Sequence, residues 1–336
     1  MQVPASSRVQ VWASAPWRAR AAAWMDEQLA GAGMKRTGEI EQPRIRPWGT
    51  VLVAPTERGR VWLKAPAPET AFEVALYELL QRVAPEHVLA PIAADVARSW
   101  VLLPDGGPVL GERITGTEIV DALLVVLPEY AQLQRALAPH VDSLLSLGVA
   151  DMRAEIMPRR FDEALDAAAD YVDRRGGKAE RATHRRVAAL RGVFGAWCEQ
   201  LAAAPGPPSL DHNDLHPWNV FADGLPGAKA AKFYDWGDSV VAHPFSSMLV
   251  IRRVVRHMLD TTYDDPDVLR VRDSYLDVFS DLAPHTELVE TMELACRVGI
   301  PARALVWDRA LRTLGPDDHS EDASAPLETL AWLLDA

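Results

Sequence analysis

Two short segments hold most of the residues that could do chemistry: Asp211-His212-Asn213-Asp214-Leu215-His216-Pro217-Trp218-Asn219-Val220 and Phe233-Tyr234-Asp235-Trp236-Gly237-Asp238. The chain has only two asparagines, Asn213 and Asn219, and both fall in the first segment. Composition alone would supply about 0.004 chance matches to H-x-D-x-x-x-x-N, before a downstream D-x-G is required. Phosphoryl transfer needs these residue types together. Its loose transition state calls for a carboxylate to orient the attacking hydroxyl and for oxygen ligands that hold Mg²⁺ against the phosphates. Asp214 suits the first task, while Asn219 offers the metal a neutral amide oxygen and Asp235 a carboxylate. Two other readings fit less of the pattern. Asp and Asn favour turns and caps, which leaves the co-occurrence unexplained. His212, Asp214 and His216 form an H-x-D-x-H pattern that could ligate a metal, but that leaves Asn219 and D-W-G-D without a role. His212 is expected to pack and hydrogen-bond the loop, and Asp238 to accept a loop-stabilising hydrogen bond.

A nucleotide also needs a cation on its phosphates, and Lys64 closes a predicted strand far upstream. Alternation in Arg60-Val61-Trp62-Leu63-Lys64, after Val51-Leu52-Val53 and a Pro55–Gly59 turn, predicts a hairpin. Trp62 then shares a strand face with Lys64. A helix starting near Glu69 follows, with Phe72, Ala75, Leu76, Leu79, Leu80 and Val83 on one face and Glu73 beside it, able to pair with Lys64. His87–Ala93 and Trp100–Leu103 read as two more strands before the breaker cluster Pro104-Asp105-Gly106-Gly107-Pro108. Helical patterns follow over Glu118–Leu137 and in a long segment where Val187, Leu190, Phe194, Trp197 and Leu201 keep helical spacing. Leu210–His212, Asn219–Ala222 and Lys232–Tyr234 read as short β-like pieces, with helices resuming from Phe245. Loops leaving these paired short strands would let Asp214, Asn219 and Asp235 converge.

The 336 residues are 49% hydrophobic and 24% charged, which suits two domains or two lobes and excludes wholesale disorder. The net charge of −12 argues against nucleic acid and anionic lipid as partners. Cys198 and Cys296 make no CxxC, so neither a disulfide framework nor a structural zinc site is expected. No apolar run approaches membrane-spanning length, and the first residues lack a secretory signal pattern, so the expected location is cytoplasmic. The acidic residues from Asp260 to Asp281 read first as a solvated face and second as recognition of a cationic substrate.

His212-Asn213-Asp214-Leu215-His216-Pro217-Trp218-Asn219 resembles the H-G-D-L-H-P-G-N catalytic loop of the aminoglycoside phosphotransferase family, the small-molecule branch of the protein-kinase-like fold, and Asp235-Trp236-Gly237-Asp238 resembles its metal segment. The resemblance spans about residues 46 to 250. It implies an α+β, two-lobed architecture: an N-lobe over 1–103 containing a β-sheet, a hinge at 104–107, and a larger, mainly helical C-lobe over 108–336. It also implies Asp214 as catalytic base, Asn219 and Asp235 as Mg²⁺ ligands, Lys64 as the phosphate lysine and Glu73 as its partner. Thr50, in the covering loop Trp48-Gly49-Thr50, and the hinge pair Leu102 and Leu103 are the remaining nucleotide contacts. The implied activity is transfer of the γ-phosphate of ATP, with GTP as the alternative nucleotide, to a hydroxyl of a small molecule: an aminoglycoside, aminosugar, amino-alcohol or other natural product, cationic ones included. A non-catalytic nucleotide-binding regulator is the competing reading, although all five key positions hold competent residues. The oligomeric state is not legible. The sequence departs from the family pattern in having one glycine in the covering loop, Asn213 and Trp218 in place of glycines, and Trp62 facing the expected adenine side. The Trp218 indole is expected to narrow the substrate cleft.

Overall fold

The computed structural model describes residues 5–221, 230–311 and 321–335, with side chains from Arg8 onward. The chain divides into two compact units, one running to Gly107 and resuming at Arg309, the other Pro108–Asp308 and resuming at Glu321.

The first unit opens with helices α1 (Ala5–Ala13) and α2 (Ala15–Gly31), the latter capped by the Ser14 hydroxyl, which accepts the Trp17 N–H. Five antiparallel strands follow: β1 (Glu41–Arg46), β2 (Gly49–Thr56), β3 (Gly59–Pro66), then α3 (Phe72–Val83), β4 (Ala93–Asp95) and β5 (Trp100–Pro104), with sheet order β1-β2-β3-β5-β4. Strand alternation sorts the faces. Val61, Leu63 and Ala65 of β3 join Leu52, Ala54 and Leu102 in a core with Trp17, Ala21, Trp24, Met25 and Leu29 of α2. Arg60, Trp62 and Lys64 stand on the opposite face, where the Arg60 guanidinium lies 5.6 Å from the Trp62 ring centroid.

The predicted hairpin is present and longer than expected, with Lys64 two residues inside the end of β3 rather than at it. The predicted helix starts at Phe72, because Pro68–Thr70 form a separate 3₁₀ turn. The strand expected over His87–Ala93 is displaced to Ala93–Asp95, since Pro85–His87 turn as 3₁₀.

The second unit is mainly helical: α4 (Leu110–Arg113), α5 (Glu118–Leu137), α6 (Val141–Ser146), then β6 (Ala150–Asp151), α7 (Met157–Arg175), α8 (Lys178–Ala188) and α9 (Arg191–Ala202). Next come β7 (Ser209–Asp211), β8 (Val220–Phe221), β9 (Lys232–Phe233) and β10 (Val240–Ala242), followed by α10 (Met248–Met258), α11 (Pro266–Leu276), α12 (His285–Leu311) and α13 (Ala325–Ala331). β10 lies between β6 and β7, and β8 pairs with β9. The long helix expected across Val187–Leu201 is two helices that break around Ala189-Leu190 and keep a common apolar phase. Of the β-like piece expected over Asn219–Ala222, Ala222 lies outside the described residues. No described helix is long and apolar enough to cross a membrane.

Gln134, fully buried in α5, fixes the strand that leads to the candidate site. Its amide nitrogen donates to the carbonyls of Leu210 and Pro244 (3.0 and 3.1 Å), its amide oxygen accepts the Tyr275 hydroxyl at 2.6 Å, and its own carbonyl accepts Ser209 Oγ. A buried polar group left unpaired costs about 1–3 kcal/mol, so one side chain with this many partners ties β7, the Pro244 turn and α11 to one geometry.

Candidate active site

In the first unit, Lys64 Nζ donates to Glu73 Oε1 at 2.6 Å. Glu73 is fully buried, and a carboxylate so placed is costly unless paired, so the pair expected from the sequence is built into the junction of β3 and α3. Thr50 does not occupy the expected place. It is fully buried, its hydroxyl donating to the Arg44 carbonyl at 2.8 Å and accepting from Gln42 Nε2 at 2.9 Å, so its side chain ties β1 to β2 and has no capacity left for a phosphate. Leu102 lies inside the ladder, its carbonyl accepting the Ile92 N–H at 2.7 Å and its side chain in the α2 core. Leu103, opposite Trp62, shares the Lys64 face.

In the second unit, β7 ends at Asp211 and the chain turns through His212-Asn213-Asp214. Asn213 adopts φ +59°, the left-handed region that Gly enters without cost and that Asn, among side-chain-bearing residues, tolerates best. Asn213 can therefore take a backbone conformation that a glycine would adopt without cost. His212 is the staple of the site. Its N–H donates to the Tyr130 hydroxyl, its Nε2 meets the Tyr234 carbonyl at 2.9 Å, and its ring packs on Trp236. The loop bearing Asp214 is thus fastened to the residue preceding Asp235. Burial lowers the His212 pKa against the smaller raising influence of the Tyr234 carbonyl and the charges of Asp214 and Asp235. His212 is therefore neutral and structural.

Asp235 also sits at φ +64° and opens the 3₁₀ turn Trp236–Asp238, with Trp236 fully buried and donating to the Phe233 carbonyl. β8 and β9 bring Asn219 alongside, the Tyr234 N–H donating to the Asn219 carbonyl at 3.2 Å. Asn219 Nδ2 donates to the Asp214 carbonyl at 3.0 Å. The nitrogen end of the amide is thereby spent on the loop, which turns the oxygen end, the one a hard cation takes, the other way. An amide oxygen from Asn219 and a carboxylate from Asp235 are donors of the type that suits Mg²⁺. No group of three or more His, Cys, Asp or Glu residues among those described is arranged to hold a metal ion, and His212 Nε2 is already committed, so the H-x-D-x-H reading has no geometric support.

Arg303 of α12 completes the site and was not singled out in the sequence. Its Nη2 lies 2.7 Å from Asp214 Oδ1, and its Nη1 reaches the Asn213 carbonyl at 3.3 Å and Asp238 Oδ2 at 3.4 Å. His216 Nε2 approaches Asp214 Oδ2 at 3.5 Å. Burial acts to raise the Asp214 carboxyl, but the His216 contact and the Arg303 charge outweigh it and hold the group below its ordinary value. The loop thus presents an ionised carboxylate in a largely desolvated setting. Trp218 lies with its indole over Gly111 of α4, where a Cβ would come within 2.5 Å of the ring, and stays half exposed. Its bulk is accommodated by that glycine.

A family model described as the phosphotransferase enzyme family matches residues 50–265, more than half of the chain. The chain belongs to the phosphotransferase enzyme family. It is a phosphotransferase with an alcohol group as acceptor, and it has the protein-kinase-like fold. Among solved structures, this phosphotransferase is similar to a macrolide 2'-phosphotransferase type I (15% identity, 95% of this chain and 97% of that one, TM-score 0.58). It is also similar to choline kinase from Streptococcus pneumoniae (12% identity, 93% and 99%, TM-score 0.57). A third similar structure is a spectinomycin phosphotransferase in complex with ADP and spectinomycin (12% identity, 93% of each chain, TM-score 0.50). No curated protein matches the chain.

Proposed function

We propose that this phosphotransferase moves the γ-phosphoryl group of ATP, with Mg²⁺, to a hydroxyl of a small-molecule acceptor. The observation that carries the reading is the Asp214 carboxylate, held ionised by Arg303 and His216, on a loop whose other anchors are Asn219 and the Asp235 turn. The acceptor hydroxyl donates its proton to Asp214 while its oxygen forms a bond to the γ-phosphorus. The bond from that phosphorus to the β-bridging oxygen breaks, and the nucleoside diphosphate leaves with the electron pair. Asn219 and Asp235 would hold Mg²⁺, which when bound neutralises charge on the transferring group. Lys64, oriented by Glu73, would meet the phosphates of the nucleotide. Of the two expected hinge residues, Leu103 is the better placed to meet an adenine, since the Leu102 carbonyl is taken by Ile92. The ADP in the related spectinomycin phosphotransferase supports an adenine nucleotide. On this reading the boundaries are an N-lobe over 1–103, a hinge at 104–107 and a C-lobe from 108.

The test is ADP release from Mg-ATP in the presence of pooled small alcohols, with Asp214→Ala as the comparison. Acceptor-dependent release should fall by at least about a hundredfold in the variant, while Mg-ATP binding by calorimetry stays within about threefold. Turnover by Asp214→Ala near the wild-type rate would remove Asp214 from its role.

A further inference from the structure

A cavity of about 420 Å³ lies in the second unit, walled by α10, α11, α12 and the chain segment after α13. Four arginines line it, Arg252, Arg253, Arg272 and Arg297, in a chain whose net charge is −12. Two of them have carboxylate partners: Arg252 pairs with Glu293 at 2.7 Å and Arg272 with Asp273 at 2.7 Å. Arg253 and Arg297 have no carboxylate partner among the described residues. Each is held over an aromatic ring instead, Arg253 at 3.6 Å from the Trp332 centroid and Arg297 at 4.8 Å from that of Trp197. Ring contacts of this kind position a guanidinium while leaving its in-plane N–H donors for an anion. Arg252 is 7% exposed, and the Nε atoms of Arg252 and Arg297 are both buried with no hydrogen-bond partner.

The acidic residues of this region do not turn the cavity toward a cation. Asp265 caps α11, Asp267 pairs with Arg270 and Asp281 with Arg135. Glu293 is met by Arg252, so Asp264 and Asp335 are the remaining carboxylates of the lining.

The cavity is tied to the catalytic carboxylate by α12. Glu293, Cys296, Arg297 and Ile300 face it, and Arg303, which holds Asp214, follows Ile300 by three residues, about 4.5 Å along the axis. The Cys296 thiol donates to the Phe245 carbonyl and Ser246 Oγ to the Ala295 carbonyl, fixing α12 against the Pro244–Ser247 turn that precedes α10. The volume is that of a small-molecule site.

We propose that this cavity is the acceptor subsite and that the acceptor carries an oxyanion, a carboxylate or a phosphate, bound by Arg297 and Arg253. This rests on the kinase reading above and narrows it: the acceptor is a hydroxylated anion, not an amine.

The test compares matched pools of small alcohols with Mg-ATP: hydroxy-carboxylates, sugar and alcohol phosphates, the amides of the same carboxylates, and amino-alcohols with aminoglycosides. Wild type, Arg297→Gln and Arg253→Gln are assayed for ADP release. Turnover confined to an anionic pool, with acceptor KM raised about tenfold or more in the variants and KM for ATP little changed, is the expected result. The responding pool distinguishes carboxylate from phosphate. Turnover of the amine pool, or an acceptor KM unaffected by both substitutions, overturns the proposal. Where no pool turns over, thermal shift decides: stabilisation by an anionic pool that is lost in Arg297→Gln supports the subsite, and its absence overturns it. Failure of the kinase reading itself shows separately, as absence of Mg-ATP binding by calorimetry. Both variants are checked for folding by circular dichroism. If Arg297→Gln fails to fold, Arg253→Gln carries the test, Arg253 being only half buried.

Discussion

Replacing Asp211 with asparagine should make the protein more stable relative to wild type as the pH rises. Asp211 is fully buried at the end of β7, where its Oδ1 accepts from Ser247 Oγ and, at 2.8 Å, from the Asn213 N–H. Burial pushes its carboxyl up to about 6 from an ordinary 3.8, and the two hydrogen bonds offset only part of that. A carboxyl raised in the folded state binds a proton that the unfolded chain has already released. Its contribution to stability is therefore full below the unfolded pKa and is lost as the pH rises through about 6. At 1.36 kcal/mol per unit, the full span amounts to about 3 kcal/mol. Of this, about 2 kcal/mol falls between pH 4.5 and 7.5. The asparagine amide keeps an oxygen for the Asn213 N–H and does not titrate, so any constant cost of the substitution cancels when one pH is compared with another. Urea unfolding of both proteins at several pH values gives the difference directly. The Asp211→Asn curve should gain about 2 kcal/mol on wild type across that window. A gap constant to within about 0.5 kcal/mol would refute the argument that Asp211 retains its proton in the fold.

Three further substitutions test other parts of the site. Arg303→Gln removes the cation that holds Asp214 low, so the acid limb of the pH–rate profile should move to higher pH and kcat at neutral pH should fall by at least about tenfold. An unmoved limb would show that Arg303 does not act through Asp214. Asn213→Ala should cost about 1 kcal/mol, because the position is left-handed, whereas Asn213→Gly should be tolerated, as measured by thermal unfolding. His243 is buried, its Nδ1 accepting the Phe245 N–H and its Nε2 facing the Pro205 carbonyl, and burial pushes its pKa down to about 4. A histidine held neutral in the fold stabilises above its unfolded pKa and loses that contribution as the pH falls from about 6.5 to 4. The stability gap between wild type and His243→Gln should therefore shrink by about 3 kcal/mol over that range.

The His212–Asn219 loop and the D-W-G-D turn were readable because their residues lie at short spacing, where side-chain type and position in the chain nearly determine position in space. Lys64 and Glu73 were readable because strand alternation and helix phase each put one of them on a definable face. Thr50 was misread for the same reason that made the loop plausible: its sequence neighbours indicate a turn, while its 0% exposure and its bonds to β1 depend on a strand that had not been recognised. α2 left a signal in Trp17, Ala21, Trp24, Met25 and Leu29, which keep helical spacing, though its many alanines and arginines blur the pattern. Arg303 left none. It is one arginine among several on a 27-residue helix, and only tertiary folding sets it against Asp214. Asp211 was hidden in plain view, as a carboxylate beside the motif whose burial no local pattern announces.

The clamp of Arg303 on Asp214 also has a consequence in the order of synthesis. If Asp214 is the base, as proposed, the loop that bears it is translated well before the helix that holds it in its ionised, oriented state. A nascent chain ending anywhere short of α12 carries Asp214 without its cation, and whatever it has folded by then lacks a competent base. Activity should therefore be gained late and abruptly as translation passes α12, and a ribosome stalled upstream of Arg303 would display a nearly complete but silent enzyme.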